Sequence, residues 1–128
     1  MVEHLIVSDA SLQGRSILLV EDEYFIADAM QRSLETSGAR VVDPAASVED
    51  ALDLLAAETV DGAVLDVNLD DESVFPLAEA LVEKCIPFLF ATGYGASDLP
   101  PEWRHVPCHE KPVGPGTVAR ALLGGDAR

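Results

Sequence analysis

Four short segments of this sequence end in side chains that can do chemistry together. Glu21-Asp22 follows the apolar run Ile17-Leu18-Leu19-Val20, and Asp66 closes the run that begins at Gly62. Thr92-Gly93 follows Ile86 to Ala91, and Glu110-Lys111-Pro112 follows a short stretch near Val106 to His109. An aspartate carboxylate can attack phosphorus and form an acyl phosphate. The phosphoryl oxygens then need neutralising charge, which a divalent metal such as Mg2+ or Mn2+, held by a few carboxylates, supplies. Glu21, Asp22 and Asp66 offer those carboxylates, and the backbone carbonyl of Asn68 can complete the metal's shell. Lys111 can pair with a phosphoryl oxygen as a point charge, and the Thr92 hydroxyl can hydrogen-bond another. Each group alone has a plainer explanation. An acidic pair often just complements a helix dipole, Asp66 could be a cap, Thr92 a turn residue and Lys111 a solvated charge. The chemical reading rests on four such accidents having to coincide.

Those groups converge only if the apolar runs are neighbouring parallel strands. The pattern from Ser16 onward predicts this. The unbroken run at 17–20 reads as a strand buried on both faces. Phe25, Ile26, Ala29, Met30, Ser33 and Leu34 recur at helical spacing, and that helix stops near Ser37-Gly38. Ala39 to Val42 reads as a second strand closed by Asp43-Pro44. Ser47 looks like an N-cap for a helix with the stripe Ala51, Leu52, Leu54 and Leu55. Gly62 to Asp66 is the third strand. Val74 to Val82 is the third helix, with Ala78, Leu81 and Val82 inward and Pro76 in its first turn. A fourth strand at Ile86 to Ala91, a fifth near Val106 to His109 and a helix at Val118 to Leu123 complete the series. Such alternation is the signature of a parallel sheet covered on both faces, which binds ligands at its carboxyl edge.

In that order, Leu18-Leu19-Val20-Glu21-Asp22-Glu23, Val64-Leu65-Asp66-Val67-Asn68-Leu69, Phe90-Ala91-Thr92-Gly93 and Glu110-Lys111-Pro112 resemble the response-regulator receiver family. The likeness runs from about Ser16 to Leu123. It implies an α/β fold, a five-stranded parallel sheet in a flavodoxin-like three-layer sandwich. It implies Asp66 as phosphoacceptor, Glu21 and Asp22 as the Mg2+-holding pair and Asn68 as backbone metal ligand. It implies Thr92 as switch hydroxyl and Lys111 as the family's lysine, next to a Lys-Pro bond that is often cis in the family. The segment 87–95, Pro-Phe-Leu-Phe-Ala-Thr-Gly-Tyr-Gly, also resembles the FATGUY receiver subfamily, similar in partnering histidine kinases of the HWE and HisKA2 types. The implied partners are a sensor histidine kinase and a downstream protein or phosphotransferase. Residues 1–14 read as an arm, or as a short extra strand, 15–124 as the receiver domain and 125–128 as a tail.

Two departures from the family pattern stand out. The aromatic residue that many receivers carry three positions before the lysine is Cys108 here, which leaves Tyr94 as the candidate switch or as a ring packed on its loop. The stretch between Thr92 and Lys111 holds three prolines and two glycines. It predicts a single turn near Pro101 to Arg104, or an irregular loop, in place of a regular fourth helix.

The charge balance narrows the partners. With 23 acidic and 8 basic residues the formal net charge is −15, which argues against nucleic acid. No apolar run is long enough for a membrane span and no leader is visible, so a cytoplasmic protein is expected. Cys85 and Cys108 are too few for a disulfide framework and are expected to be inert, mostly buried thiols. His4, His105 and His109 are not spaced as a metal site. Trp103, between prolines, is expected to plug its loop, and Asp70-Asp71-Glu72 to be a solvated helix start. With 128 residues the chain has room for one domain. A signalling phosphoacceptor is therefore expected to act by binding another protein or as a phosphate sink. The competing readings are a degenerate receiver that acts by binding alone and an aspartate-nucleophile phosphatase. Against the phosphatase, Asp66 lies on the third strand rather than the first, and Asn68 stands where those enzymes carry a second aspartate.

Overall fold

A computed structural model describes residues 12–69, 72–93 and 99–123. Most of the expected arm, Tyr94, Asp70, Asp71 and the expected tail lie outside the described residues. Five strands form one parallel sheet: β1 (Ser16–Val20), β2 (Arg40–Ala45), β3 (Gly62–Asp66), β4 (Phe88–Thr92) and β5 (Cys108–Glu110). Their order is β2-β1-β3-β4-β5. Four helices alternate with them: α1 (Tyr24–Thr36), α2 (Val48–Ala57), α3 (Phe75–Glu83) and α4 (Pro115–Leu123).

Alternation along each strand sends side chains to opposite faces. Ile17, Leu19, Val64 and Leu89 join Met30 and Leu34 of α1 and Val118 and Leu122 of α4 in one core layer. Leu18, Val20, Leu65 and Phe90 join Ala51 and Leu55 of α2 and Leu77 and Leu81 of α3 in the other. Every residue of β1, β3 and β4 is buried. This explains their unbroken apolar runs.

Several helix faces differ from the sequence expectation. Phe25 stands outward at 83% exposure, and Ala27 takes a core position beside Met30 and Leu34. Leu52 and Val82, expected inward, are exposed. β2 runs through Pro44 to Ala45, past the expected stop. It is an edge strand, where a missing N–H is tolerated, and it carries one extra residue between Val42 and Ala45 opposite Leu18 and Val20. α4 starts one turn before Val118, at Pro115, where proline needs no hydrogen-bonded N–H. Ser47 caps α2 as expected, its hydroxyl accepting from Asp50 N–H at 3.1 Å. Glu72 is not simply a solvated helix start, since its carboxylate accepts from Val48 N–H, 3.2 Å away at the start of α2.

Among the described residues between β4 and β5 the helical element is a 3-10 turn at Pro101–Trp103. Trp103 is 7% exposed and packs against Phe75, Phe88 and Phe90, so it plugs the core. Among the described residues no helix is long and apolar enough to cross a membrane.

Cys85 corrects the expectation of buried thiols: it is exposed, and Cys108 is half-buried. Cys85 terminates α3 with φ 59°, the left-handed conformation. Its N–H bonds Val82 and the next N–H bonds Leu81, the same paired closure that Gly38 makes after α1 with φ 93°. A side chain at φ > 0 is strained by roughly 1 kcal/mol. Cys85→Gly should therefore raise the unfolding free energy by about 1 kcal/mol in urea denaturation with an unchanged m-value.

Candidate functional site

Strand register builds the site. Val20 pairs with Leu65, so Glu21 emerges beside Asp66. Asp66 pairs with Ala91, so Thr92 lies one step beyond it. Thr92 pairs with Glu110, and Lys111 N–H donates to the Thr92 carbonyl at 2.8 Å. The carboxyl ends of four strands thus meet where strand order reverses between β1 and β3.

Glu21, Asp66 and Thr92 are buried, and Asp22 is half-buried. One carboxylate oxygen from each of Glu21, Asp22 and Asp66 lies within 4.8 Å of the others. The Lys111 ammonium sits 3.1 Å from Asp66 Oδ2 and 3.1 Å from Glu21 Oε1, and it donates to Glu21 Oε2 at 3.4 Å. Glu21 Oε2 also accepts from Glu23 N–H at 3.0 Å, which fixes the carboxylate against the start of α1. Burial first, and the neighbouring Asp66 charge next, push the Glu21 carboxyl up to about 7 against the pull of its hydrogen bonds. Burial alone would lower the Lys111 ammonium, but its bonds to Glu21 and Asp66 outweigh it and raise it.

Asn68 completes the frame. Its N–H donates to Asp66 Oδ1 at 2.8 Å. Its carboxamide oxygen accepts from the Thr92 hydroxyl at 3.0 Å and from Gly93 N–H at 3.2 Å.

A family model described as the response regulator receiver domain matches residues 17–103. The chain belongs to the response regulator receiver family. This receiver is 38% identical over 82 residues to the transcriptional regulatory protein YvrH of Bacillus subtilis (strain 168), covering 63% of this chain and 35% of that protein. It is 38% identical over 80 residues to the sensory transduction protein LytR of Staphylococcus haemolyticus, covering 60% of this chain and 31% of that one. It therefore spans about a third of the length of these curated relatives. The solution structure of SdrG from Sphingomonas melonis Fr1 superposes with a TM-score of 0.74 at 37% identity, covering 89% of this chain and 96% of that one. The response regulator PhyR from Brucella abortus gives 0.71 at 26% identity, covering 90% and 51%.

The receiver thus gathers Glu21, Asp22, Asp66 and Lys111 in one cluster and ties Thr92 to it through Asn68. Tyr94 lies outside the described residues. Sequence reasoning assigned Asn68 only a backbone carbonyl and missed its side chain. The one available signal was its position two residues after Asp66, where a strand-end amide can reach the neighbouring strand. The donor set suits a hard divalent cation. Three carboxylates face one ammonium, and Glu21 Oε1, though near Lys111, is buried with no hydrogen-bond partner.

That charge balance sets the sign of two substitutions. Lys111→Met leaves Glu21 and Asp66 buried and uncompensated, and should destabilise the receiver by about 3 kcal/mol in chelator-treated buffer. Asp66→Asn removes one surplus negative charge and should stabilise it by roughly 1 kcal/mol in the same buffer. Thermal or urea unfolding checks both signs.

Proposed function

We propose that the chain is a response regulator that accepts a phosphoryl group on Asp66 from a sensor histidine kinase in a Mg2+-dependent reaction. The observation that carries this is the Lys111 ammonium 3.1 Å from the Asp66 carboxylate, inside the cluster of Glu21, Asp22 and Asp66. In the forward step an Asp66 oxygen attacks phosphorus of a phosphohistidine. The O–P bond forms, the P–N bond breaks, and its electron pair returns to the imidazole. Lys111 then pairs with a phosphoryl oxygen, and Thr92 donates to another. Glu21, Asp22, Asp66 and the Asn68 carbonyl would hold the metal, which neutralises phosphoryl charge when bound.

A protein phosphodonor suits the surface beside the acidic pair. Tyr24 and Phe25 are 74% and 83% exposed and meet edge to face at 5.4 Å. Tyr24 also lines a groove of about 360 Å³ with Glu21, Asp22, Asp28, Gln31 and Pro44. Exposed aromatics next to a reactive site mark protein contact. The 87–95 segment supports the FATGUY subfamily and a kinase of the HWE or HisKA2 type. The match to nearly the whole of SdrG supports a single-domain regulator, one that binds a downstream protein or phosphotransferase, or serves as a phosphate sink. In this reading the chain is a signalling phosphoacceptor in the cytoplasm and no enzyme.

The test is incubation with acetyl phosphate, with and without Mg2+, followed by intact-mass measurement. Wild type should gain one phosphoryl group only with the metal, and Asp66→Asn should gain none. A metal-dependent gain that survives the substitution overturns the assignment of Asp66.

A further inference from the structure

We propose that the Asn68 carboxamide is a latch that holds Thr92 and Gly93 in the unphosphorylated arrangement. Asn68 is then a positioning residue that sets how readily the site takes up a phosphoryl group. The inference rests on the reading of Asp66 as phosphoacceptor and deepens it.

Asn68 grips the site on two sides. Its backbone N–H holds Asp66 Oδ1 at 2.8 Å. Its carboxamide oxygen receives the Thr92 hydroxyl at 3.0 Å and Gly93 N–H at 3.2 Å. Gly93 N–H can only donate, so the oxygen and not the NH2 faces β4. Both lone pairs of that oxygen are then in use.

A phosphoryl group on Asp66 brings three strong acceptor oxygens to the same corner. The Thr92 hydroxyl has one proton to donate. When it turns that proton to a phosphoryl oxygen, it leaves Asn68, and Gly93 N–H loses half of the clamp that held it. Gly93 is the first residue of the connection to Pro101–Trp103, so release starts where β4 ends. A contact made in one state and broken in the other shifts the equilibrium by its own free energy. Asn68 places that free energy on the unphosphorylated side.

Beryllofluoride, a phosphoryl mimic, tests this when titrated with Mg2+ into the full chain and followed by amide NMR. Asn68→Ala keeps the backbone carbonyl and N–H and removes only the latch. It should bind beryllofluoride on the order of tenfold more tightly than wild type, as loss of two neutral hydrogen bonds from the free state implies. In a Thr92→Ala background the same substitution should gain about twofold or less, because the hydroxyl arm of the latch is already gone. Without beryllofluoride, hydrogen exchange of the Gly93 amide should speed up in Asn68→Ala. It should stay slow in Asn68→Asp, whose carboxylate oxygen still accepts. Equal gains in both backgrounds, no gain, or unchanged Gly93 exchange in Asn68→Ala overturns the latch while wild type still binds the mimic. Wild type that fails to bind the mimic overturns the reading of Asp66, and the latch with it.

Discussion

Lys111 lies between Glu21 and Asp66, and the carboxyl edge of the sheet depends on that contact. Register forces the two carboxylates together, since β1 and β3 are adjacent and in step. Both are almost wholly buried, where like charges repel far more strongly than in water. An ammonium within 3.1 Å of each makes the pair tolerable. It comes from the end of β5, an edge strand of only three residues. The Lys111 N–H bond to the Thr92 carbonyl therefore matters beyond its own energy. It fixes the backbone at a point from which the side chain reaches both acids. In the proposed reaction the same ammonium would also meet a phosphoryl oxygen, so the contact that steadies this edge is one a phosphorylated site would share.

The rest of the fold makes such an edge possible. Strands covered on both faces cannot carry polar side chains along their length without burying them unpaired. Past Ser16, which is hydrogen-bonded to Arg40, the residues of β1, β3 and β4 are apolar up to the carboxyl end of each strand, where the polar groups of the site begin. The boundary of the core and the location of the chemistry are thus one line, drawn by the same constraint. α1 and α4 seal one face and α2 and α3 the other, which leaves this edge as the place where buried charge can meet solvent and ligands.

That coincidence is why so much of the site was legible in the sequence. An apolar run cut short by an acid, a threonine or a lysine gives strand, strand end and candidate group at once. Order along the chain and the rule for parallel sheets then place the groups together. What was not legible depends on the relative placement of distant segments. The Asn68 side chain finds its partners across 24 positions on another strand, and Glu72 caps a helix 24 positions away. Periodicity gives the width of a helical stripe but not its centre, so Phe25, Leu52 and Val82 fell on the wrong side. Cys85 occupies a left-handed closure usually given to glycine, which no pattern of residue types betrays. The extra residue in β2 is likewise a matter of pairing, invisible in β2 alone.

The region past Thr92 shows how a receiver can keep the side chains of its strand-end cluster and change their surroundings. A ring at the start of β5 would have an axis to turn on, but Cys108 carries no ring and is only half-buried. Aromatic bulk is supplied instead by Trp103, stacked on Phe75 at 6.0 Å and set edge-on to Phe88 and Phe90. These contacts come from α3 and β4, so the indole is held from several directions. Phe90 lies two residues before Thr92 on the same strand. Movement at Thr92 and the seating of Trp103 are therefore joined through one short piece of β4, and the turn at Pro101–Trp103 is anchored to the same core that positions the hydroxyl. The first position of β5 carries no ring to rotate, while the parts that tie the end of β4 to both Asn68 and Trp103 are in place.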